Sequence, residues 1–476
     1  MISPAFPRSI SGPDDPAAMR VVCLSTHAGH AGGAAIAMER LAAGMRLRGA
    51  EVDVVTRAAV TSQRVPLERK IRRLVERARS DVSNTMFSVD WPAWDVSAHP
   101  AVAAADVVNV HWVAGFLGPE SIRRLVATGK PLIWTLHDQR PFTGGCHYTS
   151  GCNGFTTGCG SCPQLAPAFA EPPRRTLALA ARRLRGVPLV FVSGSRWLAG
   201  EVVRSKIFDP LAHESHVIPN GIDLARYAPT PDRRAVRRRL GLPEEGLGIL
   251  LGSVSLDEAR KGAREAAAAI AAMHAILRDA GWSGPAPFVL TCGAGTVAIE
   301  GVAVRHLGPL DEPSVIEAVH ASDIHLTMTR EDNLPNTVME ALSCGVPVVG
   351  TAVGGVPDMI DDGVNGWLVP LGDALAAGGI LARLARDGGA VSAAAVQART
   401  RAEADWSGRH VAGRYLKLAE TLLDRQAGGG GHRSLGHLGL TPAAAAVLRQ
   451  PGPIQRLRWF ARQSARNLAL TRPVSR

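Results

Sequence analysis

Two acids, Asp332 and Glu340, stand with seven residues between them in the segment Arg330–Gly345, REDNLPNTVMEALSCG. A helix is expected to begin at Pro335–Asn336, so the pair straddles the point where a polar loop becomes helical. Free backbone N–H groups at a helix start donate to phosphate or hydroxyl oxygens, and ionised carboxylates accept from sugar hydroxyls. The chemistry this spacing points to is the binding of a polyhydroxylated, phosphate-bearing ligand such as a nucleotide sugar. Glu331 is a second candidate for the first acid, and Arg330, Asn333, Leu334, Pro335 and Asn336 line the same turn. Two acids alone also fit a solvated helix start with capping carboxylates.

The following residues favour the ligand site. Val346–Val349, bounded by Gly345 and Gly350, is expected to be a short buried strand, and Gly354-Gly355 opens another turn before Pro357. Helix, strand and glycine loop in close succession belong to a doubly wound parallel sheet, whose ligands gather outside the carboxyl ends of the strands.

The remaining elements repeat that alternation. Val21–Ser25 is an expected strand, followed by a turn through His27, Gly29, His30, Gly32 and Gly33, a helix Ala34–Arg48 and a strand Val52–Thr56. This is a βαβ unit without the G-x-G-x-x-G fingerprint. Further strands are expected at Val107–Val110, Leu132–Thr135, Leu189–Val192, Ile249–Gly252, Phe288–Cys292, Val302–Leu307 and Ile324–Thr327. Helices are expected over Gln63–Ser80, Glu120–Ala127 and Ser407–Leu423. A chain of 476 residues is too long for one ordinary core. We expect an α/β protein of two Rossmann-like domains, 20–186 and 187–405, a closing helix at 406–426, and a linker and basic tail at 427–476.

The formal net charge is +11, and the tail from Ala427 to Arg476 holds eight arginines and no acid. Its segment Ile454–Leu470 interleaves arginines with Leu457, Trp459, Phe460, Leu468 and Leu470, a pattern that suits an anionic membrane surface, a disordered solubilising tail or a helix packed on its own protein. No base-reading motif accompanies the charge, so nucleic acid is not an expected partner. No apolar run approaches the roughly 20 residues of a membrane span, and Met1–Met19 lacks the apolar block of a signal peptide, so the expected location is cytoplasmic.

Several motifs together resemble the retaining family 4 glycosyltransferases of GT-B fold, particularly bacterial exopolysaccharide, lipopolysaccharide and colanic acid enzymes. They are the Gly29–Gly33 turn, DVSAHPAVAAADVVNVHWV (95–113), TLHDQRPFTGGCHYTSGC (135–152), SGSRWL (193–198), VIPNGID (217–223), RKG (260–262) and the Asp332–Glu340 segment, which matches that family's E-x7-E signature. The resemblance implies a nucleotide-sugar site in the second domain, an acceptor site in the first, and no metal cofactor for catalysis. It assigns the donor diphosphate to Lys261 with Arg260, the donor sugar to His137 and to Asp332 or Glu331, the ribose hydroxyls to Glu340, and close backbone approach to Gly32 and Gly33. It also implies a saccharide acceptor, here expected to be lipid-linked, which would give the tail a use at the inner membrane face. Where the family usually has an arginine soon after the strand glycine, this chain has Gly252 followed by Ser253, leaving Arg260, Arg264 or Arg330 as substitutes. That departure, with aspartate at the first acidic place, keeps a non-catalytic scaffold of the same fold as an alternative; a nucleotide-sugar epimerase is another.

Cys146, Cys152, Cys159 and Cys162, spaced C-x5-C-x6-C-x2-C beside His147, are a candidate structural zinc site. Packed, reduced thiols are the other reading of the same loop.

Overall fold

The computed structural model describes residues 18–29, 32–61, 66–80, 82–89 and 93–427. The arginine-rich tail therefore lies outside the described residues. Two six-stranded sheets carry the fold. The first contains β1 (Arg20–Ser25), β2 (Glu51–Thr56), β3 (Val107–Val110), β4 (Leu132–Leu136), β5 (Leu189–Ser193) and β6 (His213–Val217), in the order β2-β1-β3-β4-β5-β6. The second contains β7 (Gly248–Ser255), β8 (Phe288–Ala294), β9 (Ala303–His306), β10 (Ile324–Thr327), β11 (Val348–Thr351) and β12 (Gly366–Val369), ordered β12-β11-β10-β7-β8-β9. Every pairing within the sheets is parallel. Helices cover both faces of each sheet, which is why β3, β4, β5 and β11 are buried throughout and are mostly apolar, each with one polar residue. This is the GT-B arrangement, two Rossmann-like domains facing each other.

The expected boundary at 186/187 falls inside the first sheet. Leu189–Ser193 pairs with β4 and His213–Val217 pairs with β5, so the first domain runs on to about Val217. An apolar strand after a helix looks the same in either sheet, and periodicity cannot assign it. The expected strand Val346–Val349 begins two residues later, at Val348, and β6 and β12 were not expected.

The chain crosses between domains twice, and the crossings lie side by side. Ile222 N–H donates to Trp406 O at 2.8 Å and Gly408 N–H donates to Ile222 O at 2.9 Å. The last helix, Gly408–Ala427, then packs back on the first helix of the chain, Gly33–Arg46. Its Val411, Ala412, Tyr415, Ala419 and Leu422 join Met38, Leu41 and Met45 in one buried cluster. A Cβ on Gly44 would stand 2.5 Å from Gly408 O, so this helix pair meets only because that position is glycine. The closing helix thus straps the second domain to the first.

Candidate active site

The two sheets present their carboxyl ends to a common seam. In the second sheet the strand order reverses between β7 and β10, the place where such folds hold ligands. The loops leaving these two strands carry Arg260, Lys261, Glu331 and Asp332. Gly262 makes this possible: it holds φ +69°, and a Cβ there would lie 1.8 Å from Met328 O. The loop carrying Lys261 is thereby pressed directly against the end of β10, and the long helix Ala263–Asp279 starts at once.

Asp332 is the hub of the cluster. Its Oδ2 accepts from Lys261 Nζ at 2.7 Å and from Arg260 Nη1 at 2.9 Å, and its Oδ1 accepts weakly from Tyr148 OH at 3.5 Å. Burial alone raises an aspartate's pKa, but Lys261 and Arg260 outweigh it and hold Asp332 at about 2. The Arg260 guanidinium stacks over the Tyr148 ring at 4.0 Å from its centroid, and its Nε donates to Glu258. A small cavity of about 20 Å³ opens beside them, bounded by Gly252, Ser253, Lys261, Ala263, Asp332, Pro335 and Thr337. It combines one cation with the starts of two helices, Ala263–Asp279 and Asn336–Ser343, a combination suited to phosphate oxygens.

Glu340 lies one turn inside the helix that Pro335 starts, and it is buried. Its Oε1 accepts from Arg40 Nη2 at 2.9 Å, across the seam from the first domain. The same Arg40 nitrogen donates to Tyr227 OH at 2.8 Å, and that hydroxyl donates to Glu312 Oε1 at 3.0 Å. Burial pushes the Glu340 pKa up, and Arg40 only partly opposes this.

The other expected residues divide between site and seam. Glu331 faces the first domain, accepting from Thr149 N–H and Oγ1 at 3.3 and 3.0 Å and from Ser150 N–H at 2.8 Å. Asn333 is buried, its Oδ1 accepting from Ser195 Oγ at 2.7 Å while its Nδ2 donates to His137 O at 3.3 Å. Leu334 packs against Gly194, and Asn336 Nδ2 donates to Gly33 O at 3.1 Å, which brings the expected Gly32-Gly33 turn to the start of the Glu340 helix. Arg330 is more than half exposed and leans toward Glu265 at 3.7 Å, away from Asp332, so Arg260 is the arginine that joins the cluster.

His137 follows β4, where Nε2 stands 3.0 Å from Nδ1 of His111, which follows β3. Burial lowers the pKa of His137 to about 4, and burial with the neighbouring His137 holds His111 well below the usual imidazole range, so the pair shares a single hydrogen bond between neutral rings at neutral pH. Next to it, Asp138 Oδ2 accepts from Trp112 Nε1 at 2.8 Å and lies 2.7 Å from His147 Nδ1, while His147 Nε2 lies 2.8 Å from Ser88 Oγ. Trp112 in turn stacks on His27, in the turn after β1. These rings and polar groups line the first domain's side of the seam.

Cys146, Cys152, Cys159 and Cys162 lie near enough for the other three thiols to act electrostatically on Cys146. Among the described residues no three His, Cys, Asp or Glu side chains come together as an ion would need, and all four thiols are free. Cys146 and Cys162 join Ile71, Val75, Phe87, Leu165 and Phe169, whereas Cys159 packs on the core of the first sheet. Burial raises the thiols of Cys146, Cys159 and Cys162, Cys159 to about 11.

Comparison with known proteins agrees with this geometry. Residues 31–226 match the family model described as Glycosyltransferase Family 4, and residues 250–387 match the one described as Glycosyl transferases group 1. The chain belongs to the group 1, family 4 glycosyltransferases. It is 29% identical to the Escherichia coli protein named as a colanic acid biosynthesis glycosyl transferase, WcaC, over 54% of this chain and 60% of that protein. It is 26% identical to the D-inositol 3-phosphate glycosyltransferase of Xylanimonas cellulosilytica over 80% of this chain and 91% of that one. Among solved structures the fold matches WaaG, a glycosyltransferase of lipopolysaccharide biosynthesis, with TM-score 0.56 at 17% identity, covering 84% of this glycosyltransferase and 99% of WaaG. It also matches Anabaena HepE in complex with UDP and glucose, with TM-score 0.55 at 15% identity, covering 85% and 99%.

Sequence reasoning missed Arg40, Tyr148, Tyr227 and Glu312 as parts of this site. Tyr148 lay within the cysteine motif but had no signal of its own. Arg40 sits beside Glu39 in a mostly apolar helical stretch, AIAMERLAAGM, and such a charged pair on a helix carries no signal of a site.

Proposed function

We propose that this glycosyltransferase moves a sugar from a nucleotide-diphosphate sugar, held by the second domain, to a saccharide acceptor held by the first, with retention of anomeric configuration. The observation that carries the reading is the Lys261–Arg260–Asp332 cluster at two helix starts, with Glu340 one turn further in. Departure of a nucleoside diphosphate builds negative charge on the phosphates, and a lysine beside helix N-termini stabilises that charge where it develops. Glu340, when ionised, accepts from both ribose hydroxyls. Asp332 is a poor nucleophile while two cations hold it, which favours front-face transfer in which the leaving phosphate takes the acceptor's proton. HepE's binding of UDP and of UDP-glucose supports a nucleotide donor.

The acceptor in this proposal is a lipid-linked saccharide of cell-surface polysaccharide assembly, exopolysaccharide or lipopolysaccharide, with the enzyme cytoplasmic and peripheral at the inner membrane face. The WcaC likeness supports the pathway class. None of the helices among the described residues is long and apolar enough to cross a membrane. The helix Pro66–Arg77 supports a surface contact: Arg69, Lys70, Arg72, Arg73 and Arg77 are exposed and make no ion pair among the described residues. By contrast, the equally basic helix Arg233–Arg239 spends its arginines on Asp323, Glu244, Glu245 and Glu317.

The test is a thermal-shift panel of UDP- and GDP-sugars on the wild type and Glu340→Ala, because a ligand that binds the native state raises its melting temperature. A shift with one nucleotide class that the substitution removes is the expected result. No shift with any donor overturns the proposal in favour of a scaffold, and steady release of free nucleotide without acceptor favours an epimerase.

A further inference from the structure

Arg40 belongs to the first domain, yet its guanidinium sits in the seam against the acid of the second domain assigned to the donor ribose. Its side chain is 12% exposed and that of Glu340 is 9% exposed. Nη2 donates to Glu340 and Tyr227, while Nη1 is buried with N–H donors that no oxygen of the described residues accepts. Buried donors without a partner are rare, and this one points to an oxygen supplied by something other than the protein. Among the described residues, Arg226 is a further cation beside these acids, pairing with Glu312 at 2.7 Å. Glu312 stands 3.6 Å from Arg40. The remaining titratable groups facing Glu340 are the Tyr227 hydroxyl and the thiols of Cys292 and Cys344, raised by burial to about 11 and about 12 respectively, so all three are neutral near pH 7.

Two acids are thus balanced by two arginines. Removing Arg40 leaves the buried Glu340 beside the half-buried Glu312 with its own cation gone, and burial together with the like charge then favours a proton on Glu340. A protonated Glu340 has one O–H donor and reduced acceptor capacity, so it cannot accept from two ribose hydroxyls as a carboxylate can.

We infer that Arg40 is a positioning residue for the donor nucleoside: it keeps Glu340 ionised and aimed at the ribose diol, and it does so only when the first domain is closed onto the second. The inference rests on the proposed nucleotide-sugar function. It also gives the chain a cation at the donor from the opposite domain, in a protein that has Ser253 where an arginine was expected.

The experiment is isothermal titration of UDP and GDP into wild type, Arg40→Gln and Arg40→Lys from pH 6.5 to pH 8.5, with melting temperatures measured alongside. The expected result for Arg40→Gln is nucleotide binding weaker by about 10- to 100-fold at pH 6.5, the scale of one lost charge-assisted hydrogen bond. The gap should narrow as pH rises and Glu340 deprotonates, and Arg40→Lys should recover most of the affinity. In turnover with a matching donor, KM should rise more than kcat falls. Unchanged nucleotide affinity in Arg40→Gln overturns the inference, as does a loss that is equal at every pH and equal in Arg40→Lys, which would mark a merely structural arginine. A wild type that binds neither nucleotide overturns the proposed function and this inference with it, whereas a wild type that binds while Arg40→Gln matches it overturns the inference alone.

Discussion

Lys261 Nζ donates to Asp332 Oδ2 across 2.7 Å, so the lysine expected to meet the donor diphosphate is already matched to an acid on the neighbouring loop. A diphosphate entering the cavity beside them competes with Asp332 for that cation. Lys261→Ala should lower the transfer rate by about 100-fold or more, the scale of removing one preorganised group that stabilises developing charge, with the circular dichroism spectrum unchanged. A rate near wild type would remove Lys261 from the site.

The same ion pair sets an acid limit on stability. Asp332 sits at about 2 in the folded protein, below its ordinary 3.8, so its contribution is fully present above pH 4 and is lost as pH falls from about 4 through about 2. Asp332→Asn should remove that component from the acid-unfolding profile. It should also tighten nucleotide binding by freeing Lys261 and Arg260, and weaker binding would show that Asp332 itself holds the donor.

Glu331 takes three hydrogen bonds from Thr149 and Ser150 of the other domain, which makes it a clasp across the seam. Glu331→Ala should cost about 1 kcal/mol of local closure, the net worth of an ordinary hydrogen bond, because Ser150 is exposed and the Thr149 N–H keeps Gln139 Oε1 as an acceptor at 3.0 Å. Hydrogen exchange at the Thr149 and Ser150 amides should accelerate accordingly. Protection equal to wild type would mean that the seam closes without this residue.

Much of this was legible in the chain because the signals were local. The helix start at Pro335–Asn336, the strand ends before Lys261 and His137, and the paired acids all follow from spacing and strand–helix alternation. What was not legible depends on which parts meet in space. The strand Leu189–Ser193 shows the same apolar run whichever sheet it joins, and only its pairing with β4 places it in the first domain. Glu331 and Asp332 are neighbours with similar chemistry, and the geometry of the two flanking loops turned one to the clasp and the other to the cations. Arg40 stands 300 residues before its partner Glu340. The cysteine spacing implied convergence, and the four thiols do lie near enough to act on one another electrostatically, although Cys146 and Cys159 pack in different apolar clusters.

The thiols give a direct check of that packing. In denaturant all seven cysteines should react with a thiol reagent, while in the folded protein Cys146 should be protected, being buried with its pKa raised by that burial. Elemental analysis should find no stoichiometric zinc. One zinc per chain, lost when Cys159 and Cys162 are replaced, would show that the loop Cys146–Cys162 rearranges around a metal.

Membrane association can be apportioned between the tail and the helix Pro66–Arg77. Each cation near an anionic surface contributes about 1 kcal/mol at low salt, so replacing Arg72 and Arg73 with alanine should weaken binding to anionic vesicles by about 30-fold. Both side chains are exposed and flank the buried Ile71 and Val75, so their loss leaves the helix's packing face intact. The neighbouring loop adds exposed Val82 and Met86, 53% and 55% accessible, as apolar contacts that salt does not screen. Deleting 427–476 removes eight further charges and should lower binding again, and raising the ionic strength should release the full chain because surface attraction fades beyond a Debye length of about 8–10 Å. If the double alanine variant and the truncated chain both bind vesicles as the wild type does, the acceptor reaches this enzyme in solution, and the exposed cations of Pro66–Arg77 serve some other anionic partner.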